Sequence, residues 1–144
     1  MKIKVQKVDP DVQLPKYQHY GEDAGMDLIA NEDYCLESDE FKLIKTGLKL
    51  AIPAGYAGFV YPRSGLALRD GITVLNADGV IDPGYRGELG VILINHGSDQ
   101  FKINKGDRVA QLIIHKTYEI EWEVVDDLQG SKRGEGGFGH TGVK

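Results

Sequence analysis

Tyr118-Glu119-Ile120-Glu121-Trp122-Glu123-Val124 sets a large apolar side chain and a glutamate at alternate positions. Successive side chains of a strand point to opposite faces, so a period of two predicts one face in the core and a row of carboxylates in water. The same period recurs along the chain. Ile3 and Val5 alternate with Lys2, Lys4 and Gln6, and Leu48, Leu50 and Ile52 alternate with Lys49 and Ala51. Leu89-Gly90-Val91-Ile92-Leu93-Ile94 is a continuous apolar run, as expected of a strand covered on both faces. Turn signals punctuate these runs: Pro53-Ala54-Gly55, Arg69-Asp70-Gly71, Asp82-Pro83-Gly84, His96-Gly97-Ser98-Asp99 and Asn104-Lys105-Gly106-Asp107. Strands at this spacing predict a sandwich or barrel. Residues 26–46 lack Gly and Pro, but Asn31-Glu32-Asp33 and Glu37-Ser38-Asp39 cut them into short pieces, while Ser64 to Arg69 has room for one or two helical turns. The expected fold is all-β with at most one short helix.

The chain has 144 residues, 41% hydrophobic and 27% charged. That length suits a single domain with a real core. Its formal net charge is -5, from 22 Asp and Glu against 17 Lys and Arg. An acidic surface argues against a general nucleic-acid binder or a ligand of anionic membranes, although local basic spots fit the count. Cys35 is the single cysteine, which excludes an intrachain disulfide and a cysteine metal site. No apolar segment has signal-peptide or membrane-span length, so the expected setting is a reducing, cytoplasmic one.

Glycine is concentrated at the end of the chain: residues 130–144 hold six glycines and only two large apolar residues, Phe138 and Val143. Such a segment cannot offset its own ordering entropy, which predicts a domain over 1–129 and a mobile arm over 130–144 that orders against a ligand or partner. Gly134-Glu135-Gly136-Gly137-Phe138-Gly139 matches G-x-G-x-x-G, but that motif needs a following helix and only five residues follow Gly139, so it is not read as a dinucleotide fingerprint. Backbone amides beside Lys132 and Arg133 still suit phosphate, and Phe138 suits a planar ring. The bland alternative is a disordered tail.

Pro62-Arg63-Ser64-Gly65 combines a guanidinium fork, a hydroxyl and a glycine amide, a plausible oxyanion cradle; alternatively Ser64 caps a helix and Arg63 makes a surface ion pair. Gly79 to Gly87 reads as a hairpin with Asp82 near its turn, either a normal turn residue or a carboxylate placed to orient and deprotonate water. Asp27 interrupts the apolar segment Ala24-Gly25-Met26-Asp27-Leu28, either at a strand edge or aimed at a metal–phosphate complex. The four histidines are scattered without zinc spacing, and no G-x-S-x-G elbow surrounds Ser64.

Five ordered segments resemble the five motifs of the homotrimeric dUTP pyrophosphatases. They are Ala24–Leu28, Pro62–Ala67, Gly79–Gly87, Gly106–Leu112 and Arg133–Gly142, and together they span nearly the whole chain. The resemblance implies a jelly-roll-like β-sandwich or distorted barrel, assembled as a homotrimer with active sites at subunit interfaces and closed by the C-terminal arm. It implies hydrolysis of dUTP to dUMP and pyrophosphate by Mg²⁺-assisted attack of water on the α-phosphorus, which limits uracil in DNA and supplies dUMP for dTMP synthesis. By the same resemblance Asp82 orients the water and contacts the 3′-hydroxyl. Asp27 helps hold the metal through water, and Arg63, Ser64 and Gly65 bind phosphates with Gln111 close by. Asn76, Val80, Ile81 and Gly90 line the uracil pocket, Tyr85 excludes a ribose 2′-hydroxyl, Arg133 reaches the γ-phosphate, and Phe138 and Gly139 cap the base. Two other readings share these residues: an enzyme of the dCTP deaminase branch, and a nucleotide-binding regulatory protein without turnover.

Overall fold

Period-two patterning cut by turns folds residues 1–137, those the computed structural model describes, into eleven strands and one helix. In chain order these are β1 (Lys4–Lys7), β2 (Met26–Ile29), β3 (Tyr34–Leu36), β4 (Phe41–Lys45), β5 (Leu48–Ala51), β6 (Tyr56–Tyr61), α1 (Ser64–Asp70), β7 (Ile72–Val74), β8 (Gly79–Ile81), β9 (Gly90–Asn95), β10 (Phe101–Ile103) and β11 (Arg108–Lys116). A four-stranded sheet runs β2-β11-β6-β8 and a three-stranded sheet β4-β9-β7, with the pairs β1-β5 and β10-β3 beside them. Every paired ladder is antiparallel. Neighbours within a sheet are mostly distant in sequence, the mark of a jelly-roll-like sandwich, and neither larger sheet closes into a barrel.

The core lies between the sheets. Leu28, Val60, Ala110 and Leu112 enter it from the four-stranded sheet, and Ile44, Ile72, Val74, Val91 and Leu93 from the three-stranded one. Burying each of the larger side chains contributes about 1.5–3 kcal/mol. The apolar run ending at Ile94 is β9, central between β4 and β7 as its composition requires. Two buried polar side chains tie loops to this frame. Asn95 Nδ2 donates to the Leu36 and Asp99 carbonyls at 3.1 and 2.9 Å, and Thr46 Oγ1 donates to the Leu89 carbonyl at 2.6 Å.

The helix fits the expected short segment, but Ser64 does not cap it. Arg63 occupies the N-cap in an extended conformation without a side-chain cap bond, and Ser64 is the first helical residue. Gly71 ends the helix at φ 69°, packed so tightly that a Cβ there would lie 2.6 Å from the Gly97 nitrogen.

Two further expectations are corrected. Tyr118 to Val124 forms no strand and buries no face: Tyr118, Ile120, Trp122 and Val124 are 79%, 66%, 86% and 95% exposed. A strand needs a ladder partner, and after β11 ends at Lys116 no described strand runs beside this segment, so its alternation has nothing among the described residues to pair with. Gly79 to Gly87 is not a hairpin either. β8 pairs with β6, and the turn closed by the Tyr85 N–H on the Asp82 carbonyl carries the chain to β9 in the other sheet.

Candidate active site

That crossing between sheets opens a cavity of about 210 Å³. β8 contributes Val80 and Ile81, the following turn Asp82 and Tyr85, the preceding loop Asn76, and the start of β9 Gly90. Six residues singled out from the sequence therefore line one cavity. Val60, Val74 and Val91 make its apolar wall, and Asp82 and Asn76 bring polar groups to it, a mixture suited to a flat, weakly polar ring. Gly90 is required by packing: a Cβ on it would come within 2.5 Å of Leu43 Cδ1, which reaches across from β4. Leu43 and Glu88, also in the lining, carry no signal in the sequence that would have found them.

Tyr85 is held in place from two sides. Its ring covers Gly87, where a Cβ would collide with the ring and hydroxyl, and the hydroxyl donates to the Glu88 carbonyl at 2.9 Å. The Glu88 carboxylate in turn accepts the Gly47 N–H at 2.9 Å, anchoring the turn to the β4–β5 connection.

A second group gathers at the C-terminal end of β6. Asp27, 5% exposed, lies opposite Gln111, which is in turn opposite Tyr61. Arg63 Nε sits 3.3 Å from Asp27 Oδ1, and Arg108 Nη1 donates to Asp27 Oδ2 at 3.0 Å. A carboxylate this buried is tolerable only with such partners. Ser64 and Gly65 follow Arg63 directly and complete a cationic, donor-rich surface. Desolvation raises the Tyr61 hydroxyl pKa, and nearby Asp78 raises it further, so this phenol stays protonated beside the cluster. The cluster and the cavity share β6 but no lining residue.

The described residues contain no group of three or more His, Cys, Asp or Glu able to hold a metal. Both Asp27 oxygens already meet guanidinium nitrogens, and Asp82 lies in the cavity lining instead. This donor set fits an ion carried in on a ligand's phosphates and waters, not a resident cage. Arg133 reaches neither group; its Nε donates to the Gly136 carbonyl at 2.6 Å in a local turn. Phe138 and Gly139 lie outside the described residues. No described helix is long and apolar enough to cross a membrane.

Comparison with known proteins identifies the family. The family described as dUTPase matches residues 11–142. A deoxyuridine 5′-triphosphate nucleotidohydrolase of Clostridioides difficile is 49% identical over 140 residues, covering 97% of each chain. The enzyme of that name from Thermobifida fusca (strain YX) is 47% identical over 143 residues, covering 99% of this chain and 79% of its own. Among solved structures, the dUTPase of Staphylococcus bacteriophage 80alpha with dUpNHpp superposes with a TM-score of 0.91 at 29% identity over 99% of both chains. A dUTPase mutant of phage phi11 of S. aureus, described with a structural Mg(II) ion, superposes with a TM-score of 0.81 at 27% identity, covering 88% of this chain and 98% of that one.

Proposed function

The chain belongs to the dUTPase family and is a dUTP diphosphatase, and from that premise we propose that its cavity receives deoxyuridine while the Arg63 surface takes the triphosphate. The observation that carries this reading is the convergence of Asn76, Val80, Ile81, Asp82, Tyr85 and Gly90 on one cavity of ring-accommodating size.

In this reading the pyrimidine enters between the walls of β8 and β9, with Asn76 and backbone groups reading its polar edge. Tyr85 lies under the sugar, and its clamped ring leaves no space for a 2′-hydroxyl. Asp82 accepts a proton from the attacking water and contacts the 3′-hydroxyl. A positioned base of this kind contributes about 10²–10⁴-fold. Attack on the α-phosphorus spreads charge over phosphoryl oxygens, so the protein mainly aligns and neutralises. Arg63, the Ser64 hydroxyl, the Gly65 amide and Gln111 supply donors for that charge. Mg²⁺, bound to the triphosphate with Asp27 beyond its waters, would supply further neutralisation when present. Arg133 reaches the γ-phosphate, and Phe138 and Gly139 cover the base when the segment 130–144 closes over the site.

Closure of one complete site requires neighbouring copies, and we take the assembly to be a trimer. Two features support this. The cavity and the arginine cluster share no lining residue within one chain, and Tyr118, Ile120 and Trp122 present apolar side chains that nothing among the described residues covers. A reducing cytoplasmic setting suits the exposed free thiol of Cys35.

The deciding experiment measures pyrophosphate release from dUTP, dTTP, dCTP and UTP with and without Mg²⁺. The expected result is Mg²⁺-dependent release from dUTP far above the other three. Ammonia from dCTP would assign the chain's activity to the deaminase branch, and dUTP binding without turnover would leave a regulatory role.

A further inference from the structure

Glu88 stands between the turn that carries Asp82 and Tyr85 and the start of β9, and it lines the cavity. A carboxylate there repels an anionic nucleotide unless it is committed elsewhere. We propose that Glu88 is a positioning residue for sugar selection. It fixes the Tyr85 ring from the β4–β5 connection, so that discrimination against a 2′-hydroxyl is set partly from outside the turn. The proposal rests on the reading of Tyr85 as the residue under the sugar.

The turn is closed by local bonds. The Tyr85 N–H donates to the Asp82 carbonyl at 3.1 Å, and Arg86 Nη1 donates to the Pro83 and Tyr85 carbonyls at 2.6 and 2.7 Å. Such bonds shape the loop without placing it against the sheets. Glu88 supplies that link through both backbone and side chain. Its carbonyl accepts the Tyr85 hydroxyl at 2.9 Å, while the N–H of the same peptide unit, that of Leu89, donates to the Leu48 carbonyl at 2.7 Å. The two polar groups of a trans peptide point in opposite directions, so one planar unit bridges β5 and the Tyr85 hydroxyl. The Glu88 carboxylate accepts the partly buried Gly47 N–H at 2.9 Å and attaches the same residue a third time.

The platform beneath Glu88 has little freedom. Gly47 holds φ 73°, a conformation that favours glycine, and a Cβ on it would lie 2.5 Å from Val12 Cγ2. The Gly47 carbonyl accepts the Val8 N–H at 2.8 Å, and Thr46 Oγ1 donates to the Leu89 carbonyl at 2.6 Å. An alanine at 88 would leave the Gly47 N–H without its acceptor, a costly state for a partly buried donor, and would leave residue 88 held by its backbone alone. The carbonyl that fixes the phenol would then gain play, and the ring with it.

The test measures pyrophosphate release from dUTP and UTP by the full-length protein. Glu88→Ala should raise the kcat/KM of UTP relative to dUTP by about fivefold or more. Glu88→Gln keeps an acceptor for the Gly47 N–H and should hold that ratio within about twofold. A role in folding alone would lower both substrates together, so an unchanged ratio in Glu88→Ala overturns the proposal. A rise in Glu88→Gln equal to that in Glu88→Ala also overturns it, because charge and not the hydrogen bond would then be responsible. In a Tyr85→Phe background the link to Glu88 is already cut, and Glu88→Ala should change the ratio further by less than about twofold; full additivity overturns the coupling. If Glu88→Ala fails to fold, Glu88→Asp, one methylene shorter, carries the test: a rise of about threefold or more supports the proposal and none overturns it. Unaltered protein that hydrolyses UTP as well as dUTP would remove the sugar reading of Tyr85 and this inference together. Selective dUTP turnover with insensitive Glu88 variants would remove only the role of Glu88.

Discussion

Tyr85 folds back across Gly87, using the space a Cβ would need, and its hydroxyl is held by the carbonyl of Glu88 at 2.9 Å. The ring therefore has one position, set by a neighbour two residues away. Gly87→Ala should displace the ring and admit the ribose 2′-hydroxyl, raising the kcat/KM of UTP relative to dUTP by about 10-fold or more. Tyr85→Ala should do the same. An unchanged UTP-to-dUTP ratio in both would remove the steric gate.

Asp82 lines the cavity, and in the proposed mechanism it takes a proton from the attacking water. Asp82→Asn keeps the shape and removes the base, so kcat should fall by about 10²–10⁴. The Kd for dUpNHpp should change only a few-fold. Near-normal turnover would exclude the proposed proton transfer.

Asp27 is buried between two guanidiniums, and removing its charge leaves Arg63 and Arg108 facing each other. Breaking a buried ion pair costs about 3–5 kcal/mol, and the partial exposure of Arg108 brings the expected loss for Asp27→Asn to about 2–3 kcal/mol. Urea unfolding measures this directly, and a loss below about 0.5 kcal/mol would mean solvent already screens the pair.

Gly90 and Leu43 share one volume, since a Cβ on Gly90 would come within 2.5 Å of Leu43 Cδ1. Gly90→Ala should push Leu43 aside, reshape the cavity and weaken deoxyuridine binding several-fold. Adding Leu43→Ala should recover much of that loss, because residues in contact couple. Additive effects in the double variant would show that the two do not compete for space.

The Tyr34 hydroxyl donates to Glu40 Oε1 at 2.5 Å. This bond is the main cause lowering the Glu40 pKa, followed by the Glu37 N–H, and it is the main cause raising that of Tyr34. Because the carboxyl's folded pKa is depressed, its contribution is full above about 4.5 and is lost as pH falls through the folded value. Because the phenol's is raised, its contribution is full below about 10.0 and is lost as pH climbs through the folded value. The difference in urea midpoint between unaltered protein and Tyr34→Phe should be greatest near neutral pH and shrink toward both extremes. A difference independent of pH would contradict the assignment.

Sequence alone determined the all-β character, the short helix after Tyr61, and the central apolar strand, because period and turn chemistry act over a few neighbours. The resemblance of its ordered segments to the dUTP pyrophosphatase motifs also marked the residues that gather at the cavity. Sequence could not determine which strand lies beside which. Alternation at Tyr118 to Val124 predicts a strand, yet pairing requires a partner that no described strand provides there. The path of Gly79 to Gly87 between two sheets, the placement of Leu43 over Gly90, and the bulge that turns Arg108 toward Asp27 all depend on long-range register. Register is settled only when distant strands compete for the same core, so these relationships exist in the tertiary structure and nowhere earlier.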